Sequence, residues 1–124
     1  MPRVVHFEIH ADEPQRAADF YQKLFGWASE KFGDMDYWIV TTGTPNEPGI
    51  DGAILPRAGG SGDKMIGFVC TIDVPDIDTF IARAEGMGAE QAQPKNEVPG
   101  VGWTAYFKDT EGNVFGMFQP MGQR

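Results

Sequence analysis

The sequence feature that most constrains this chain is residues 4–27, which predict a β-strand, a tight turn and an amphipathic helix. Side chains alternate along the strand, so Phe7 and Ile9 share one face. The opposite face is largely polar and carries His6, Glu8 and His10. We expect the helix to cover the apolar face, which leaves the polar face to line something else.

The helix has start and stop signals in the sequence. Asp12 supplies a side-chain acceptor near its start, and Pro14 suits the first turn. Gly26 ends it, since glycine readily adopts the left-handed conformation. Apolar residues recur at steps of three and four. This predicted stripe comprises Ala17, Phe20, Tyr21, Leu24 and Phe25.

A weaker copy of the same pattern begins near Ile66. With a shift of 63 residues, Ile9 aligns with Ile72, and with a shift of 64, Gly52 aligns with Gly116. Each copy reads as strand, helix and three further strands, so we infer a two-fold duplication rather than a solenoid. The sequence therefore predicts an α+β fold of two βαβββ modules, covering residues 1–57 and 65–124 and joined by a connector at 58–64.

Length and composition narrow the class of protein. The 124 residues, 41% of them hydrophobic, suit a single domain with an ordinary core. No long apolar run predicts a membrane span, and no signal peptide is evident, so we expect a cytoplasmic protein. The net charge of -8 argues against a nucleic-acid partner, because a polyanion would be repelled. One cysteine, Cys70, excludes an internal disulfide framework.

Three stretches carry a resemblance to a known group: HFEIHADEPQRAADFYQKLFGW, IDVPDIDTFIARAEGMGAE and WTAYFKDTEGNVFGMFQP. On these stretches the chain resembles the vicinal oxygen chelate superfamily, which includes glyoxalase I, bleomycin-resistance proteins and extradiol dioxygenases. The resemblance implies two βαβββ modules that form a curved mixed sheet around a cleft. It also implies a homodimer, which is frequent in that superfamily.

Metal-using members of the superfamily bind a divalent ion with side chains of the first and last strands of the modules. His6 stands at the first-strand position, where an imidazole can ligate Zn, Ni, Fe or Mn. The other three positions carry Val69, Gly52 and Gly116, whose side chains cannot ligate. Because a stable protein site needs three or four ligands, we expect neither a metal nor another cofactor.

We expect the polar face of the first strand to anchor a small, partly apolar molecule. His6 and Glu8 are the candidate hydrogen-bonding or acid–base groups, and Trp38 and Trp103 are candidate aromatic walls. Strand glycines such as Gly116 leave room either for a ligand or for close packing. The full candidate ligand-binding set is His6, Glu8, Trp38, Gly52, Val69, Thr71, Trp103 and Gly116.

Three functions fit these observations. The first is a small-molecule-binding, bleomycin-resistance-like protein without a catalytic metal. The second is a metal-dependent glyoxalase-like lyase or extradiol-dioxygenase-like enzyme that uses His6 with a ligand set unlike the family's, for example with Glu8. The third is a protein-interaction module with a vestigial cleft.

Overall fold

The structure, a computed structural model, describes residues 1–57 and 66–122. Within these ranges the chain forms eight strands and two helices. The first half comprises β1 (Val4–Ala11), α1 (Pro14–Phe25), β2 (Ala28–Lys31), β3 (Trp38–Thr41) and β4 (Gly52–Pro56). The second half comprises β5 (Gly67–Asp73), α2 (Ile77–Gly86), β6 (Glu90–Val98), β7 (Gly102–Lys108) and β8 (Val114–Pro120).

The fold is α+β with the βαβββ order twice, which confirms the prediction. Neither helix is long and apolar enough to cross a membrane.

The chain divides into two compact units. The N-terminal unit is His6–Val69, and the C-terminal unit combines Met1–Val5 with Cys70–Arg124. The predicted connector, residues 58–64, lies outside the described residues.

Each unit contains four strands in the same arrangement. In the N-terminal unit the strand order is β2-β3-β4-β1, with β1 parallel to β4 and the other neighbours antiparallel. In the C-terminal unit the order is β5-β8-β7-β6, with β5 parallel to β8 and the other neighbours antiparallel. The repeated topology is what a duplicated βαβββ module produces.

The core of the N-terminal unit forms where α1 covers the apolar face of β1. Phe7 and Ile9 are buried there with Ala18 of α1, and strands β3 and β4 add Val40 and Ile54. Partly buried aromatic and small side chains close the cluster: Ala17, Tyr21, Trp27 and Trp38. The structure therefore confirms that Phe7 and Ile9 of β1 face the core.

The predicted apolar stripe of α1 is only partly buried. Ala17 and Tyr21 are half-buried, whereas Phe20, Leu24 and Phe25 have exposed fractions of 57–59%. A sheet contacts one narrow arc of a helix, and the five predicted residues span a wider arc than that contact covers. Three large apolar side chains of α1 thus lie at the surface.

The core of the C-terminal unit forms beneath α2. Ile77 of α2 is buried with Phe107 and Met117 of β7 and β8. Asp76 caps the helix by accepting a hydrogen bond from the Thr79 backbone N–H at 3.4 Å. Cys70 of β5 is exposed, because burial in that part of the strand falls on its neighbour Val69.

The strand register relates the two modules by a single shift. The parallel pairing of β1 with β4 sets Glu8 beside Ala53, and that of β5 with β8 sets Thr71 beside Gly116. Glu8 and Thr71 are 63 residues apart, and so are Ala53 and Gly116. The counterpart of Gly116 is therefore Ala53, and the predicted alignment of Gly52 with Gly116 is wrong by one residue. A one-residue shift in a strand moves a side chain to the opposite face.

Candidate functional site

The polar face of β1 carries the most unusual side chains of the N-terminal unit. Glu8 and His10 are 7% and 4% exposed, and His6 is half-buried. Strand alternation explains their placement, because Phe7 and Ile9 occupy the opposite face against α1. Ionisable residues are rarely this buried unless they are paired or functional.

Glu8 and His10 lie close together on this face. The distance from His10 Nε2 to Glu8 Oε1 is 3.9 Å, which is too long for a hydrogen bond. Neither ring nitrogen of His10 has a hydrogen-bond partner among the described residues, although both nitrogens are buried. Leaving a buried polar atom without a hydrogen-bond partner costs about 1–3 kcal/mol of stability. The two ring nitrogens of His10 therefore point to a bound group that supplies the missing hydrogen bonds.

Burial lowers the pKa of both histidines below the ordinary 6.5. For His6, the nearby Asp51 carboxylate opposes the lowering of the pKa. For His10, the Pro56 carbonyl opposes the lowering of the pKa and the Arg57 cation adds to it. The net effect is a His10 pKa below the ordinary value. Both rings are therefore neutral at pH 7, and each offers one N–H donor and one acceptor nitrogen.

Tyr37 completes the polar face from the residue before β3. Burial, and to a smaller extent the negative charge of Glu8, raises its pKa to about 12. Its hydroxyl consequently stays protonated at physiological pH and can donate a hydrogen bond. The face thus presents a carboxyl group, two neutral imidazoles and a phenol.

Two of the predicted site residues lie on the core face of the N-terminal unit. Trp38 pairs with Ile54 across β3 and β4, and its ring packs against the core. Gly52 sits beside Phe7, whose side chain would be 2.6 Å from a Cβ at that position. Both therefore lie on the opposite face from Glu8 and His10, since directly paired side chains share a face. Close packing accounts for Gly52.

The residues that the sequence prediction left out share the polar face. These residues are His10, Tyr37 and Ala53. Alternation at the start of β3 could have indicated Tyr37, because Trp38 faces the core and its neighbour therefore faces the other way. Ala53 is fully buried beside Glu8, which only the strand register reveals.

In the C-terminal unit, Thr71 and Gly116 lie side by side on one face. A Cβ on Gly116 would lie 3.0 Å from the Tyr106 ring and 3.5 Å from Thr71 Oγ1. The Thr71 hydroxyl is buried without a hydrogen-bond partner among the described residues. Trp103 lies on the other face, where it packs against the core, and the Lys95 ammonium sits 5.9 Å from its ring.

Val69 belongs to the N-terminal unit and is 3% exposed. By strand alternation it shares a face of β5 with Thr71. Its side chain offers only apolar contact.

The donor set does not fit the metal that the resemblance implies. With the corrected register, the four positions carry His6, Ala53, Val69 and Gly116, and only the imidazole can ligate. Among residues 1–57 and 66–122, no group of three or more His, Cys, Asp or Glu side chains could hold a metal ion. What this face can do is accept, donate and exchange protons with a small molecule.

Comparison with known proteins places the fold. A family model for the Glyoxalase/Bleomycin resistance protein/Dioxygenase superfamily matches residues 3–117. A comparison with curated proteins found no match.

Similar solved structures share the fold at low sequence identity. A glyoxalase/bleomycin resistance protein/dioxygenase superfamily member from Vibrio splendidus is 17% identical with a TM-score of 0.62, over 98% of this chain and 100% of that one. A methylmalonyl-CoA epimerase from Streptomyces coelicolor is 11% identical with a TM-score of 0.64, over 98% and 96%. An NAD-dependent benzaldehyde dehydrogenase from Legionella pneumophila is 13% identical with a TM-score of 0.65, over 93% and 97%. The family model covers most of the sequence, and the chain belongs to the Glyoxalase/Bleomycin resistance protein/Dioxygenase superfamily.

Proposed function

We propose that this chain is a small-molecule-binding member of its superfamily that works without a resident metal ion. The observation that carries the proposal is the buried His10, whose two ring nitrogens lack hydrogen-bond partners among the described residues, beside the buried Glu8. A ligand that supplies hydrogen bonds to that imidazole removes the cost of leaving it unsatisfied. Binding energy is therefore concentrated at this pair.

The chemistry of the face defines the ligand class. The neutral imidazole of His10 and the Tyr37 hydroxyl favour a ligand with hydroxyl or carbonyl groups. Ala53 and Leu55, paired with Glu8 and His10 respectively, supply apolar surface next to those polar groups. We expect a compact, partly apolar molecule, in keeping with pockets that combine apolar walls and a few placed polar groups.

Saturation-transfer NMR with small hydroxy- and carbonyl-substituted aromatics tests the proposal. The probes are phenol, catechol and 4-hydroxybenzaldehyde, added to untagged protein. Binding should be lost in His10→Phe, which keeps a ring of similar shape but no ring nitrogens. It should persist in Gln119→Leu, a control that removes a half-buried polar side chain that caps α2 in the C-terminal unit. Binding that survives His10→Phe, or no binding to the native chain, contradicts the proposed site.

Elemental analysis tests the metal-free part of the proposal. Untagged protein exposed to Zn, Ni, Mn and Fe(II) should retain none of them in stoichiometric amount, since one imidazole does not make a site. Near-stoichiometric metal that disappears in His6→Ala would overturn this part. That outcome would favour the metal-dependent lyase or dioxygenase alternative.

A further inference from the structure

A cavity lies on the N-terminal unit between the end of β1, where His10 borders it, α1 and the start of β5. Its volume is about 560 Å³, within the range of about 300–1,000 Å³ that is usual for small-molecule sites. Its charged end includes Arg57, and its apolar walls are Phe20, Tyr21, Ile66 and Phe68. None of these apolar residues belongs to the polar face of β1.

The walls are aromatic and accessible. Phe20 and Phe68 are 57% and 53% exposed, and both make edge-on contacts with the Tyr21 ring, at centroid distances of 5.2 Å and 6.2 Å. Phe20 and Phe68 are thus large apolar side chains that the fold places near its surface without covering them. Aromatic walls of this kind favour a flat ring, which can stack against them or meet them edge to face.

The charged end has an unused donor. Arg57 Nη1 binds Asp12 Oδ2 at 2.7 Å, and three quarters of the Arg57 side chain is buried. Arg57 Nε is buried and has no hydrogen-bond partner among the described residues. The guanidinium carries five donors in a planar fork, so an Asp12 contact at Nη1 leaves other donors of the partly exposed group for another planar acceptor. A carboxylate fits such donors with charge-assisted hydrogen bonds.

The second charged pair makes the rest of the cavity rim close to neutral. Arg16 Nη1 binds Glu13 Oε2 at 3.1 Å, and both of these side chains are largely exposed. An exposed ion pair contributes little to binding, so the preference for a carboxylate rests on the Arg57 donors that its contact with Asp12 leaves over.

We propose that this cavity binds aryl carboxylates of one or two rings, with the ring between Phe20 and Phe68 and the carboxylate on the accessible part of the Arg57 guanidinium. Of the β1 polar face only His10 borders the cavity, and neither the ring nor the carboxylate of this ligand is placed on it. Contact of the ligand's ring with Phe20 and Phe68 determines how tightly the apolar part of the ligand binds. Arg57 determines the preference for an anion. The two contributions can therefore be measured separately.

The test is isothermal titration calorimetry with four probes: 2-naphthoate, benzoate, 2-naphthalenemethanol and acetate. The native chain should bind 2-naphthoate most tightly, benzoate and 2-naphthalenemethanol less tightly, and acetate not measurably. Arg57→Gln should weaken 2-naphthoate at least about tenfold and leave 2-naphthalenemethanol unchanged, since the neutral alcohol makes no charge-assisted contact with the guanidinium. Phe20→Ala should weaken both naphthalene compounds, and its exposed position makes it a variant that keeps the fold.

Two control variants show whether the affinity for 2-naphthoate depends on this cavity. Arg83→Gln removes a cation that lies 5.0 Å from the Phe80 ring in the C-terminal unit, where the same residue types pair away from the cavity. Glu8→Gln changes the β1 polar face and not the cavity. Neither should alter 2-naphthoate affinity. Failure of 2-naphthoate to bind the native chain overturns the inference, as does affinity that is equal in Arg57→Gln, Phe20→Ala and Arg83→Gln.

Discussion

At the scale of single residues, the two strand glycines differ in what surrounds them. A Cβ at Gly52 would lie 2.5 Å from the Phe7 carbonyl oxygen and 2.6 Å from the Phe7 ring. A Cβ at Gly116 would come closest to the Tyr106 ring, at 3.0 Å, which side-chain adjustment can relieve. Gly52 is therefore required by core packing, whereas Gly116 is not.

We predict that Gly52→Ala lowers the free energy of unfolding by about 1–3 kcal/mol, the usual cost of overpacking a core. Gly116→Ala should change the free energy of unfolding by less than about 1 kcal/mol, because strain against Tyr106 is offset by the lower entropy cost of ordering alanine in a strand. Urea unfolding monitored by circular dichroism measures both. Equal losses in the two variants would show that the Phe7 contact is not what distinguishes them.

The buried histidines predict a pH dependence of stability. Their native-state pKa values lie below 6.5, so the unfolded chain binds protons more readily than the native chain. Stability is therefore complete above pH 6.5 and falls as the pH drops through 6.5 towards the native pKa values. The free energy of unfolding should decrease between about pH 7 and pH 5, before most carboxylates titrate.

The double variant His6→Gln, His10→Gln should flatten this dependence between about pH 7 and pH 5. Asp109→Asn is the control. The pKa of Asp109 is lowered by hydrogen bonds from the Asn113 and Glu111 backbone N–H groups, so its effect appears only as the pH falls below 3.8. Urea unfolding at successive pH values gives the slope. A slope that persists in the double variant would assign it to groups other than these histidines.

At the scale of elements, helix termini illustrate what local sequence signals predict. Asp12 is predicted to help open α1; the residue at the N-cap position is Glu13, which makes no side-chain capping hydrogen bond, and Asp12 forms an ion pair with Arg57. In α2, Asp76 caps the helix by accepting hydrogen bonds from the Thr79 backbone N–H and the Thr79 hydroxyl. Sequence spacing alone does not show which residue takes the N-cap position, since helix ends are uncertain by one or two residues.

We predict that Asp76→Ala lowers the free energy of unfolding by about 1 kcal/mol, the typical cost of losing an N-cap. Glu13→Ala should cost less, because it removes only an exposed ion pair with Arg16. Chemical denaturation of the two variants under identical conditions compares them. A larger loss in Glu13→Ala would mean that α1 depends on its N-terminal side chain despite the absence of a capping hydrogen bond.

The strand-level predictions show where sequence reasoning stops. Alternation in β1 correctly predicted that Phe7 and Ile9 face the core and that Glu8 and His10 share the other face. The orientation of Trp38 and Gly52 depended on register against neighbouring strands, which alternation within one strand does not determine. The repeat was recognisable, but its phase in β4 was set by backbone pairing with β1.

At the scale of the whole molecule, the order of the elements was predictable because it depends on local signals repeated twice. Amphipathic helices, glycines near the helix ends and alternating strands recur in both halves and agree with one another. The large exposed side chains Phe20, Leu24 and Phe25 were not predictable in the same way. Their periodicity is that of a buried stripe, and only tertiary packing shows how much of it the sheet covers.

The net charge of -8 leads to a prediction for the intact chain. Excess like charge destabilises a compact state through self-repulsion, and salt screens it. Raising NaCl from about 10 mM to 150 mM at pH 7.5 shortens the Debye length from about 30 Å to about 8 Å, so the Tm should rise by a few degrees.

The double variant Asp34→Lys, Glu85→Lys reduces the net charge from -8 to -4 and should respond less to salt. Differential scanning calorimetry measures both proteins, with an Asp34→Glu, Glu85→Asp variant as the control of unchanged charge. A Tm that is independent of salt in the native chain would show that its acidic groups are spaced widely enough, or paired well enough with cations, to make self-repulsion negligible.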